Sequence, residues 1–242
     1  MRNPPWQRDE VILALDLYFN KELGPIDSKN RKIIDLSNHL NRLPKLSRMK
    51  NEKTFRNPNG VTLKLSNFKA IDPNYSGKGM QSHSKLDEEV FFEFNKDLDR
   101  LKKIANEIRN VLDYENLLNN VLQIEDDELL EDDSVKEGRI LYKMHKVRER
   151  NKEIIEKKKK KVLKDKGTLN CEACNLNFEE KYGELGKGFI ECHHIIPLSN
   201  FEVNKETRLD DLALLCSNCH KMVHKDLSVS SIEEFKQKWV KS

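Results

Sequence analysis

Apolar residues at helical spacing open the chain. In residues 5–22 (PWQRDEVILALDLYFNKE), Val11, Ile12, Leu15 and Tyr18 recur on one side, which predicts an amphipathic helix. Pro4 and Pro5 bar its backward extension, and Gly24-Pro25 ends it. Asp27 or Ser28 can cap a second helix over residues 29–42, with His39 structural or exposed on it. A third is expected from Asn59 to about Ala70, carried by Val61, Leu63, Leu65 and Phe68. Residues 71–85 (IDPNYSGKGMQSHSK) lose the pattern and read as a loop. A long helix with room for one break follows over residues 86–118. Ser134-Val135-Lys136-Glu137 has the form of a capping box and starts a further helix to about residue 165. Its apolar positions (Ile140, Leu141, Met144, Val147) are few, so it reads as a solvated arm with His145 at the surface.

Composition narrows the class. A chain of 242 residues with 37% hydrophobic and 35% charged residues can hold one large domain or two small ones with modest cores. No apolar run is long enough to span a bilayer, and the opening MRNPPWQRDE is not a signal peptide, so no membrane partner is expected and the cytoplasm is the expected compartment. Thiols stay reduced there, so the five cysteines point to metal rather than disulfides. The net charge of +3 is unevenly spread. Residues 125–133 (EDDELLEDD) are acidic and suggest a linker at a domain boundary, whereas residues 157–166 (KKKKKVLKDK) are basic and suit phosphate contact.

The candidate chemistry lies between Cys171 and His224. Cys171 and Cys174 form one C-x-x-C pair, Cys216 and Cys219 a second, and four thiolates suit a tetrahedral structural zinc. Cys192 is left over and reads as a small buried residue. His193 and His194 are adjacent, and on a strand they would face opposite ways. His220 and His224 are spaced i, i+4, so on a helix both imidazoles share a face and can grip a second metal.

The segment CEAC…ECHHIIPL…LLCSNCHKMVH resembles the HNH (ββα-metal) nucleases, in the branch with a four-cysteine zinc site. That resemblance implies a strand over Phe189–His193, a second near Ala213–Leu215 and a helix carrying His220 and His224. It implies that His193, His220 and His224 hold a catalytic divalent ion, Mg²⁺, Mn²⁺ or another transition metal, and that His194 is the general base. The family's central asparagine falls on Asp211 here, a departure: aspartate accepts hydrogen bonds but cannot donate them. Asn204 is a weaker substitute, and Asn218 lies between two zinc ligands.

The N-terminal pattern NPPWxRDExILALDLY, with FRNPNGVxLKLxNF (55–68) and DPNY (72–75), resembles the DNA-binding domain of McrA-type restriction endonucleases, which cut DNA bearing 5-methylcytosine or 5-hydroxymethylcytosine. Reading such a base needs apolar or aromatic contact plus cations on flanking phosphates. Tyr75, Arg56, Lys64, Lys78 and Lys85 are the candidates, with Trp6 and Phe68 as aromatics equally suited to the core. The expected architecture is α+β and mostly helical: a helical DNA-binding domain over 1–118, an acidic linker and basic helix over 119–166, and an HNH domain with a four-cysteine zinc knuckle over 167–242. The expected function is cleavage of cytosine-modified double-stranded DNA, with a homodimer if both strands are cut. An HNH nuclease or nickase of other specificity, and a non-catalytic zinc-dependent DNA-binding protein, stand as alternatives.

Overall fold

The computed structural model describes residues 3–43, 54–77, 79–80, 82–124, 138–195, 206–226, 229 and 231–240. They form eleven α-helices and one two-stranded antiparallel sheet, and no helix among them is long and apolar enough to cross a membrane. The chain divides into two compact units, Met1–Gln123 with Glu137–Leu141, and Ile124–Lys136 with Tyr142–Ser242.

The first unit is helical: α1 Arg8–Tyr18, α2 Arg31–Asn41, α3 Pro58–Ile71, α4 Lys85–Phe94, α5 Leu98–Asp113 and α6 Glu115–Leu122. α1 is not amphipathic as expected. Val11 to Leu15 are all buried because α2, α3, α4 and α5 surround it, and a helix covered on every side needs an unbroken apolar run. The long helix expected over 86–118 is three helices. Asp97 breaks it by accepting from the Arg100 amide and starting α5 afresh. Gly138 (φ 99°) passes so close to Asp9 that a Cβ there would lie 2.3 Å from Asp9 Oδ1, and Asp9 accepts from the Arg139 and Ile140 amides.

Two candidate DNA contacts are interior residues. Arg56, 4% exposed, donates twice to Glu10 at 2.7 Å, reaches the Pro4 and Pro5 carbonyls, and lies 4.6 Å from the centre of the Trp6 ring. Lys64 is buried on Asp87 at 2.5 Å. Phe68 is fully buried in an aromatic group with Tyr18 and Phe91. Neither Arg56 nor Lys64 has a charge to offer a phosphate: each is spent on a buried carboxylate. Tyr75 is exposed with the Lys69 ammonium 5.1 Å from its ring centre, and Lys85 is exposed at the start of α4. Lys78 lies outside the described residues.

The second unit contains α7 (Arg139–Glu149) from Tyr142 onward, then α8 Lys152–Lys166, α9 Phe178–Tyr182, β1 Glu191–His194, β2 Leu212–Leu215, α10 Ser217–Lys225 and α11 Ile232–Trp239. The expected capping box at 134–137 and the acidic stretch at 125–133 lie outside the described residues. The single helix expected to residue 165 is two, because Asn151 accepts from the Glu153 and Ile154 amides and opens α8. Nor is α8 a free arm. Ile154, Ile155 and Val162 pack on the core, and Lys158, Lys159 and Lys161 bond to Leu209, Gly188 and Asp210.

Replacing Arg56 with Ala would strand the Glu10 carboxylate without its partner. The expected loss is about 3–5 kcal/mol, measured by urea denaturation, against less than about 0.5 kcal/mol for Lys85→Ala at the surface.

Candidate metal centre

β1 and β2 pair Glu191 with Leu215 and His194 with Leu212, so the hairpin presents both histidines at one end. Every residue of β2 is buried, and Cys192 is buried among them, where burial pushes its thiol up to about 11. That thiol stays neutral and packs as an apolar group.

Cys171, Cys174, Cys216 and Cys219 converge, with their sulfurs within 4.8 Å of one another. The Cys174 amide donates to Cys171 Sγ and the Cys219 amide to Cys216 Sγ, at 3.5 and 3.4 Å. Asn175 (φ 62°) turns the first pair back on itself. Burial first, and the neighbouring sulfurs second, push the Cys219 thiol far up. Four such sulfurs can ionise together only around a cation, and two of them already receive amide donors that stabilise thiolate charge. The donor set fits a structural zinc.

The second cluster is larger than expected. His193 Nδ1 donates to Glu149 Oε1 at 2.8 Å, and Nε2 atoms of His145, His220 and His224 lie 3.0, 3.0 and 3.3 Å from that same oxygen. His220 and His224, one turn apart on α10, bring their Nε2 atoms to 3.1 Å. His145 is thus not at the surface; it is 4% exposed, with its ring 5.3–5.6 Å from those of His193, His194 and His224. Burial alone would raise the Glu149 carboxyl, but His145 and the bonds from His193 and His220 hold it well below the usual range. Burial lowers His193 to about 4 and His224 to about 3. It lowers His220 too, yet the carboxylates of Glu149 and Glu191 outweigh it and raise that ring. Glu191 accepts from His220 Nδ1 at 2.5 Å, leaving Nε2 aimed at the cluster.

His194 has different partners. Its Nε2 lies 3.3 Å from Thr207 Oγ1, its Nδ1 is buried without a hydrogen-bond partner among the described residues, and burial lowers it to about 4. The ring is neutral near pH 7 and able to take a proton. Asp211 does not bond it. Its carboxylate accepts from the Arg208 amide at 2.9 Å, and its carbonyl accepts from Ile195 at 2.9 Å, so it shapes the turn beside His194. Asn204 lies outside the described residues. Sequence reasoning gives no role to Glu149, Glu191 or Thr207 and puts His145 at the surface, yet all four touch the histidines of the site. The i, i+4 spacing of His145 and Glu149, the same as that of His220 and His224, was a usable signal.

Residues 171–226 match the family model described as HNH endonuclease. No curated protein and no solved structure matches the chain. The C-terminal part is therefore an HNH domain with a four-cysteine cluster, which supports a nuclease acting on DNA.

Cys216→Ser should remove one equivalent of tightly bound metal per chain and lower the melting temperature. Cys192→Ala, whose sulfur is outside the cluster, should keep its metal. Elemental analysis of dialysed protein separates the two.

Proposed function

We propose that the chain is a modification-dependent endonuclease that binds double-stranded DNA bearing 5-methylcytosine or 5-hydroxymethylcytosine and hydrolyses phosphodiester bonds in its HNH domain. The observation that carries the hydrolytic half is His194, a buried neutral imidazole at the end of β1, directly beside a histidine and carboxylate cluster with the donor chemistry of a divalent-metal site. In this reading zinc occupies the four sulfurs, and His193, His220 and His224 hold the catalytic ion. A bound divalent cation would supply positive charge to the scissile phosphate and its leaving oxygen. His194 takes a proton from the attacking water, Thr207 orients the ring, Glu191 fixes His220, and Asp211 holds the turn next to the base.

Phosphate recognition has a site as well. A cavity of about 940 Å³ borders His220, His224 and Glu191 and is lined by Lys146, Arg150, Lys159, Lys221 and Lys225. Cations beside a hydrolytic centre draw in a polyanion and position it without reading its sequence. Choice of base is assigned to the first unit, where Tyr75 offers an exposed ring and Lys85 an exposed charge. With Arg56 and Lys64 committed to the interior, Tyr75, Lys85 and Lys78 remain the reader candidates.

His194→Ala should lower plasmid cleavage by about 10²–10⁴-fold while leaving zinc content unchanged. Equal cleavage by both proteins would remove His194 from catalysis. Binding of the full chain to duplexes that differ only in cytosine modification tests the reader. Equal affinity for all of them would favour an HNH nuclease of other specificity, and binding with no cleavage in any divalent metal would favour a zinc-dependent DNA-binding protein.

A further inference from the structure

Helix α7 lies outside the matched segment 171–226, and the ligand set carried over from the HNH resemblance includes none of its residues. We propose that Glu149 and His145 are ligands from α7 that complete the divalent-cation site, making it a nitrogen-rich site that takes a borderline transition ion in preference to Mg²⁺. This rests on the reading that the HNH histidines hold a cation.

Three features of the cluster carry the inference. First, one potential ligand atom from each of His145, Glu149, His193 and His224 lies within 4.8 Å of the others, and all four residues are buried. Second, four imidazole nitrogens crowd a single carboxylate oxygen at 2.8–3.3 Å. One carboxylate oxygen offers about two acceptor sites, so hydrogen bonding alone does not account for the arrangement. Third, polar atoms are left over: Glu149 Oε2 and His145 Nδ1 are buried without hydrogen-bond partners among the described residues, with the Lys146 ammonium 3.9 Å from the former. A cation among these donors would turn a crowded hydrogen-bond cluster into a coordination shell.

The donors also set the metal class. Imidazoles with one carboxylate suit Mn²⁺, Co²⁺, Ni²⁺ or Zn²⁺, whereas Mg²⁺ prefers oxygen and retains water. His145 and Glu149 are spaced i, i+4, so a single helical face delivers both. Glu191 on His220 Nδ1 adds the carboxylate–histidine arrangement that commonly orients a metal-bound ring.

The test is a Co²⁺ titration of the 242-residue chain with zinc already in its four-sulfur site, followed by calorimetry and visible absorption. Wild type, Glu149→Gln and His145→Ala are compared, with retained zinc confirming that each variant is folded. Wild type should bind one Co²⁺, both variants should bind it about 10–100-fold more weakly or worse, and their d–d spectra should change. Excess Mg²⁺ should not displace the Co²⁺, and displacement at comparable concentrations would overturn the metal preference. Wild-type affinity and spectrum in either variant would strike that residue from the ligand set and leave the HNH reading intact. Tighter binding by Glu149→Gln would show that the carboxylate fills the cation's place and would overturn the proposal. Absence of any Co²⁺ site in wild type would overturn both this proposal and the cation reading beneath it. If Glu149→Gln loses its zinc, Glu149→Asp keeps the charge but shortens its reach, and unchanged Co²⁺ affinity there would likewise count against ligation.

Discussion

A carboxylate buried among imidazoles is the constraint on which the second unit depends. An ionised group removed from water costs several kcal/mol unless its surroundings replace the lost hydration. Glu149 meets that requirement through His145 on its own helix, His193 on β1, and His220 and His224 on α10. Residues from three separate elements therefore have to arrive together. Tyr142, Met144 and His145 are buried on the same helix as Glu149, so apolar burial supports the docking that the charge makes specific. By composition alone α7 has the few apolar positions of a solvated helix. Its placement follows from polar residues that need one another.

The first unit applies the same physics with the opposite consequence. Arg56 and Lys64 look like free cations beside turn residues, a composition that suits phosphates. Both instead close buried carboxylates, Glu10 and Asp87, and Trp6 packs against both cations. The segments that carry the resemblance to a DNA-binding domain, NPPWxRDE and FRNPNG, are thus joined by one ionic network. Arg56 reaches back to the Pro4 and Pro5 carbonyls and forks onto Glu10, which lies one helical turn further on. These residue types are demanded by folding, and recognition is left to residues such as Tyr75 that project from the scaffold.

The elements with strong local signals were legible in the sequence. The helices at 31–41 and 58–71 and the α10 helix lie where periodicity or spacing put them, because each is determined within a few residues, and the two strands lie close to where the HNH resemblance implies them. Long helices were read too long. Two of the breaks rest on single caps, Asp97 and Asn151, that periodicity does not weigh, and the third, at Tyr114, has no side-chain cap. In the site, the four sulfurs converge as the two C-x-x-C pairs imply, and His193, His220 and His224 surround Glu149, while His194 lies beside them with Thr207 as its partner. The i, i+4 spacing of His145 and Glu149 puts both on one helical face, but whether that face is buried depends on partners 44 to 79 residues away, and nothing local distinguishes a buried ion pair from a solvated one. Asp211, which stands where the resemblance puts the family's asparagine, uses its carboxylate within its own turn, accepting from the Arg208 amide.

The two clusters of the HNH domain are mechanically linked through the hairpin. Glu172, next to Cys171, donates its amide to the Leu214 carbonyl at 2.8 Å and accepts from the Leu214 amide through its side chain at 2.9 Å. That ties the first cysteine pair to β2, whose other edge pairs with β1 and so places His193 and His194. Cys216 accepts from the Cys219 amide at the N-terminus of α10, which sets where that helix starts. Successive helical residues point about 100° apart, so Cys219 and His220 face different clusters although adjacent, and His224 follows His220 onto the same face. A shift of α10 by one residue would misalign a sulfur and two imidazoles at once. The four-cysteine cluster therefore does more than hold the fold: it sets the phase of the helix that aims His220 and His224 at Glu149.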